Sequence, residues 1–116
     1  MTTKKLNQTD VLKWSLRGSI TALRSKKIDH QVEILKGERA QKLTKIKISA
    51  FYSKLKQTKD IKLKSVLKSE IEALQSNLAK NKKNITYYHD VVKNIKEEIK
   101  KYNQIADQFH IQLWKN

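Results

Sequence analysis

The most regular pattern lies in the second half of the chain. Leu67, Ile71, Leu74, Leu78, Asn81, Ile85, Tyr88, Val92, Ile95, Ile99, Tyr102, Ala106, Phe109 and Leu113 alternate in steps of four and three without a slip. Positions so spaced share one face of an α-helix, and the alternation is the heptad rhythm of packed helices. It predicts a long helix, or a helical hairpin, over about 61–114. Within it, residues 79–84 read AKNKKN, polar enough for a loop. A turn at 80–84 would fold the segment on itself, with Asn84 capping the second arm. Otherwise one helix runs throughout, and Asn81 is a buried polar position that sets register and partner number. A loop has no reason to keep heptad phase, which favours the continuous helix.

The first half is less even. Residues 1–8 read as a tail, and Thr9 or Asp10 can cap a helix. Leu12, Leu16, Ile20 and Leu23 predict a helix over about 10–26. Ile28, Val32, Leu35, Leu43, Ile46 and Ala50 predict a second over about 28–57, separate or running on from the first. Gly18 costs its helix about 1 kcal/mol relative to alanine, through tolerance, close helix approach or a hinge. Gly37 and Arg39 interrupt the apolar spacing and mark a weak point in the core or a bend. Residues 57–60, QTKD, have the polarity of a turn, and Asp60 can cap the next helix. The alternation in TKIKISA and IKLK also allows a β-hairpin, but no standard turn sequence joins the two and their flanks are helical.

Composition agrees with helices. The 116 residues hold two glycines and no proline, too few for a loop-rich or β-rich fold. With 38% hydrophobic and 32% charged residues, the core is thin. The expected fold is all-α: a single domain over 1–116 forming an elongated helical bundle or coiled coil. One apolar stripe on a long helix needs covering, by the N-terminal helices or by a second copy, and a homodimer is expected. No run approaches the roughly 20 apolar residues of a membrane span. The start, MTTKKLNQTD, has no apolar run behind its lysines and does not read as a signal peptide. A cytoplasmic protein is expected.

Charge adds a partner. The net charge is +15. Between Lys36 and Lys68, eleven basic side chains stand against two acids, Glu38 and Asp60. On a helix, Lys42, Lys45, Ser49, Tyr52, Lys56 and Lys59 gather on one arc, opposite a broad apolar arc of Leu43, Ile46, Ile48, Ala50, Phe51 and Leu55. Lys47 and Lys54 fall within the apolar arc, where their stems can cover it. A solvated helix face usually mixes signs, and this one does not. Lys36, Arg39, Lys42, Lys45, Ser49, Tyr52, Lys56, Lys59, Lys62 and Lys64 are therefore the candidate contacts to an anionic partner. A membrane surface would use a similar stripe, but the apolar faces are expected to be needed within the protein.

No catalytic constellation stands out. His30, His89 and His110 lack metal-ligand spacing, and there is no cysteine. His89 and Asp90 are neighbours that point apart on a helix. Glu97 and Glu98 have lysines at i±3 and i±4, ordinary helical pairing. Two glycines cannot build a phosphate-cradling loop. Trp14 and Trp114 suit packing at bundle ends or an interface, and Tyr87 lies off the heptad seam. The expectation is a protein without enzyme activity, metal or cofactor. It binds nucleic acid, DNA or RNA, mainly through phosphates and as a dimer. The alternative is a coiled-coil interaction module (an adaptor, scaffold or small inhibitor) that docks on an acidic protein surface or on a partner's helices.

Overall fold

The computed structural model describes residues 7–114. Two helices account for nearly all of them: α1, Gln8–Gln57, of 50 residues, and α2, Ile61–Gln108, of 48. No strand occurs among the described residues, so the stretch 42–64 forms helix, a short turn and helix rather than a β-hairpin.

The sequence predicts helix over 10–26 and over 28–57, separate or running on, and the two are one helix. Nothing in Lys26–Lys27–Ile28–Asp29–His30 breaks a helix, and α1 passes through without interruption. It also starts earlier than expected. Asn7 is the cap, its Oδ1 accepting from the Asp10 N–H at 2.7 Å, while Thr9 and Asp10 already lie in the first turn.

The turn between the helices needs neither glycine nor proline because side chains satisfy the backbone groups the helix ends leave free. The Thr58 hydroxyl donates to the Lys54 carbonyl at 2.7 Å and closes α1. Asp60 Oδ1 accepts from the Lys62 N–H at 3.0 Å and opens α2, the cap the sequence suggests.

Helix α2 is continuous through 79–84, so no turn interrupts it there. It ends at Gln108, short of the predicted 114. The end is a Schellman motif. The His110 N–H donates to the Asp107 carbonyl at 3.1 Å and the Ile111 N–H to the Ala106 carbonyl at 2.8 Å. His110 takes the left-handed position, with φ of 53°. Glycine is the usual occupant, and its absence hides the stop. Phe109 is consequently exposed, and Leu113 is buried from beyond the helix rather than from its face.

Contacts divide the chain into two compact units, residues 1–30 with 90–116 and residues 31–89. In the first, Leu16 and Ile20 of α1 are buried with Ala106, Ile111 and Leu113, and Leu12, Ile99, Tyr102, Ile105 and Trp114 pack against them. The segment after α2 thus adds core. Its Trp114 ring lies under two guanidinium groups, Arg17 at 5.1 Å and Arg24 at 4.9 Å from the ring centre.

In the second unit α1 and α2 run antiparallel. Gly37 meets Asn81 and Ile85, and Tyr52 meets Gln75. Asn81 Nδ2 donates to the Gly37 carbonyl at 3.0 Å. A Cβ on Gly37 would lie 2.8 Å from Ile85 Cγ1 and 3.2 Å from Asn81 Oδ1. The glycine is therefore a point of close helix approach, and the polar interruption of the α2 heptads is matched to it. Around Gly18 nothing lies within 4 Å of such a Cβ, so close approach does not explain that glycine.

The two glycines should respond oppositely to alanine. Gly18→Ala removes only a helix penalty and should stabilise by about 1 kcal/mol. Gly37→Ala gains the same propensity but overpacks a helix contact, at a cost of roughly 1–3 kcal/mol, and should lower the melting temperature. His110→Gly relieves a left-handed residue that costs roughly 1–2 kcal/mol and should raise it. Thermal unfolding followed by circular dichroism measures all three. A stabilised Gly37→Ala would contradict the close approach.

Candidate functional site

The candidate contacts all fall in the second unit. Lys36, Arg39, Lys42, Lys45, Ser49, Tyr52 and Lys56 are on α1, Lys59 is in the turn, and Lys62 and Lys64 open α2. All are exposed except Lys64, which is half-buried. Lys42, Lys45, Ser49, Tyr52 and Lys56 lie on one side of α1, whereas Lys59, the last of the expected stripe, lies beyond its end; the Tyr52 hydroxyl accepts a hydrogen bond from Gln75 Nε2 at 3.2 Å. Among these basic residues, Lys36 alone is in an ion pair, with Glu33 at 3.5 Å.

The sequence predicts that the apolar arc beside this row faces the core as a whole. Only half of it does. Ile34, Gly37, Gln41, Thr44, Ile48, Phe51 and Leu55 are the buried or half-buried positions of α1 in this unit. Val32, Leu35, Leu43 and Ile46 are 42%, 56%, 61% and 65% exposed. Ala50, and Ile28 in the first unit, are exposed too. At about 100° per residue the two sets occupy roughly opposite sides of the helix. An unbroken helix offers a neighbour one face. In the second unit that face carries Ile34, Ile48, Phe51 and Leu55, and Val32, Leu35, Leu43 and Ile46, out of phase with it, are turned outward.

Arg39 lies within that outward row, between Leu35 and Leu43 in sequence. Lys42 and Lys45 border it on one side, Lys36 and Lys47 on the other, with Glu38 near Lys45. Lys54 behaves as its place in the apolar arc suggests, with Nζ 5.7 Å from the centre of the Phe51 ring.

The heptad side chains of α2 are covered to different degrees within a single chain. Leu67 and Ile71 in the second unit and Val92 and Ile95 in the first are buried. Leu74, Leu78, Asn81, Ile85 and Tyr88, and then Ile99 and Tyr102, are half-buried. Tyr87 is exposed and meets Tyr88 edge to face at 5.5 Å.

No group of three or more His, Cys, Asp or Glu that could hold a metal ion occurs among the described residues, and no described helix is long and apolar enough to cross a membrane. In comparisons with family models, curated proteins and solved structures, nothing matches the chain.

The division of the apolar arc has a direct test. Leu43→Gln together with Ile46→Gln should change unfolding free energy by no more than about 0.5 kcal/mol per site, as surface substitutions do. Leu67→Ala should cost about 2–5 kcal/mol. Urea unfolding distinguishes them, and a large loss from the glutamine pair would mean that the outward row is core.

Proposed function

We propose that this chain is a non-catalytic helical interaction module of the cytoplasm that docks on an acidic protein surface through α1 of its second unit. The observation that carries the reading is the outward row of Val32, Leu35, Leu43 and Ile46 inside a border of lysines. Exposed apolar side chains gathered on one face mark protein contacts more often than singly scattered ones do. A lysine border with few acids selects a partner of opposite sign and speeds its approach.

The second reading is nucleic-acid binding through phosphates, as a dimer. The lateral row Lys42–Lys45–Ser49–Tyr52–Lys56 favours it, because it offers cations and hydroxyls to a backbone and needs no base contacts. It leaves the apolar row unused, which ranks it second.

Fluorescence titration of the protein with labelled poly-glutamate and with a short DNA duplex, at about 50 and 200 mM salt, compares the two readings. The acidic-protein reading expects poly-glutamate to bind at the lower salt. It expects duplex binding to be weak even at the lower salt. Tight duplex binding at the lower salt that falls by orders of magnitude at the higher, with no response to poly-glutamate, would reverse the ranking. In that case Lys42→Glu with Lys56→Glu should weaken all duplex sequences alike.

A further inference from the structure

We propose that the outward row of α1 receives one amphipathic helix of a partner protein, a helix with acidic flanks and a carboxylate set within its own apolar stripe. The inference rests on the acidic-protein reading and specifies the form of that partner.

The form comes from the geometry of the row. Val32 and Leu35, and Leu43 and Ile46, are pairs three residues apart, separated by an eight-residue step with Arg39 at its centre, and all four share one face of α1. A helix laid on such a face reads it through anchors at i, i+3, i+4 and i+7. From Val32 to Ile46 the row is about 20 Å long at 1.5 Å per residue, so a partner segment of roughly 15–20 residues covers it. The spacing also explains why α2 does not: it is already engaged on the opposite face, where it meets Gly37.

The charge comes from the border. A partner helix lying on the row would have Lys42 and Lys45 along one flank and Lys36 and Lys47 along the other. Like charges there repel, and acidic side chains pair. Arg39 sharpens the requirement because it stands inside the row. Docking removes its guanidinium from water, which is costly unless a carboxylate meets it. A carboxylate on the partner's seam supplies two parallel hydrogen bonds to the guanidinium and fixes the register of the two helices.

The same features argue against other occupants. A second copy of this chain would bring a second set of lysines and a second Arg39 against the first, with Glu33 and Glu38 as the nearby acids and Glu33 already beside Lys36. A nucleic acid would satisfy the lysines but leave four aliphatic side chains against phosphate and water. An anionic lipid surface would accept the aliphatic row but press Arg39 toward the acyl chains, and it supplies no register.

The test uses the full chain and three labelled synthetic helical peptides in fluorescence anisotropy. One peptide has a leucine heptad stripe, glutamate flanks and one central seam glutamate. The second replaces that seam glutamate with leucine, and the third scrambles the first. The first should bind one to one and the scrambled peptide at least about tenfold more weakly. Leu43→Gln with Ile46→Gln should cost the first peptide about tenfold or more. Arg39→Leu should weaken the seam-glutamate peptide and strengthen the seam-leucine peptide, an exchange that only a direct contact produces. Both variants change exposed side chains, and a wild-type circular dichroism spectrum confirms that they fold.

Binding of the first peptide no tighter than of its scramble, and indifferent to Leu43 and Ile46, overturns the docked helix. If poly-glutamate still binds, the acidic-partner reading survives; if it does not, both fall. A dimer in light scattering that Leu43→Gln with Ile46→Gln dissociates makes a second copy the occupant. Binding of anionic vesicles or a DNA duplex that the same pair abolishes, with no peptide response, gives the face to lipid or nucleic acid. Each of those results overturns the proposal.

Discussion

The constraint on which everything else depends is the continuity of α1. A helix without a break keeps one rotational phase, so it presents one face to a packing neighbour along its whole length. The apolar residues of α1 do not keep one phase. In the second unit Ile34, Ile48, Phe51 and Leu55 lie on the face toward α2, whereas Val32, Leu35, Leu43 and Ile46 are exposed on the other. Any rotation that turned Val32, Leu35, Leu43 and Ile46 inward would turn Ile34, Ile48, Phe51 and Leu55 out, so only one set can pack against α2, and the price is an exposed aliphatic row.

What replaces that row on the inner face is chemically modest. Gly37, Gln41 and Thr44 stand where a bundle would ordinarily place large aliphatics. The packing there is achieved by proximity instead. With no side chain, Gly37 allows Ile85 and Asn81 close to the α1 backbone, and the Asn81 amide meets the Gly37 carbonyl. A half-buried amide with a backbone partner costs little, whereas the same amide one heptad away would face aliphatics and lose it. The pair therefore ties α1 to α2 at this level of the second unit.

The α2 pattern is legible in the sequence because it is long, strictly periodic and free of competing phases, and the cap at Asp60 is legible because a turn precedes it. Other features escape for particular reasons. The halves of α1 read as separate or running on, because the spacing within each does not show whether the helix continues between them. The end of α2 reads too late because Phe109 and Leu113 keep the heptad spacing, while the residue that stops the helix is a histidine in a position glycine usually fills. The lysine row can be placed on a face from spacing alone. That its apolar neighbours Leu43 and Ile46 are exposed cannot, since spacing gives the angle between residues on one helix but not which angle the other helix occupies.

That exposure alters what the positive charge means. Read from sequence, the lysines of residues 36–64 need an anion to explain them, because self-repulsion opposes folding. Beside an exposed aliphatic row they also have an effect that needs no partner. Two copies approaching row to row must bring Lys36, Arg39, Lys42, Lys45 and Lys47 of each into a shrinking layer of water, where Coulomb repulsion is least screened. A border in which Glu38 is the one acid among the lysines opposes self-association while leaving the face open to a partner of opposite sign. The scarcity of acids in this stretch then becomes informative: alternating Glu and Lys would have stabilised the helix alone through i,i+4 pairs, and would have removed the discrimination. The charge and the aliphatic row are two halves of one surface, and neither half accounts for the sequence of α1 without the other.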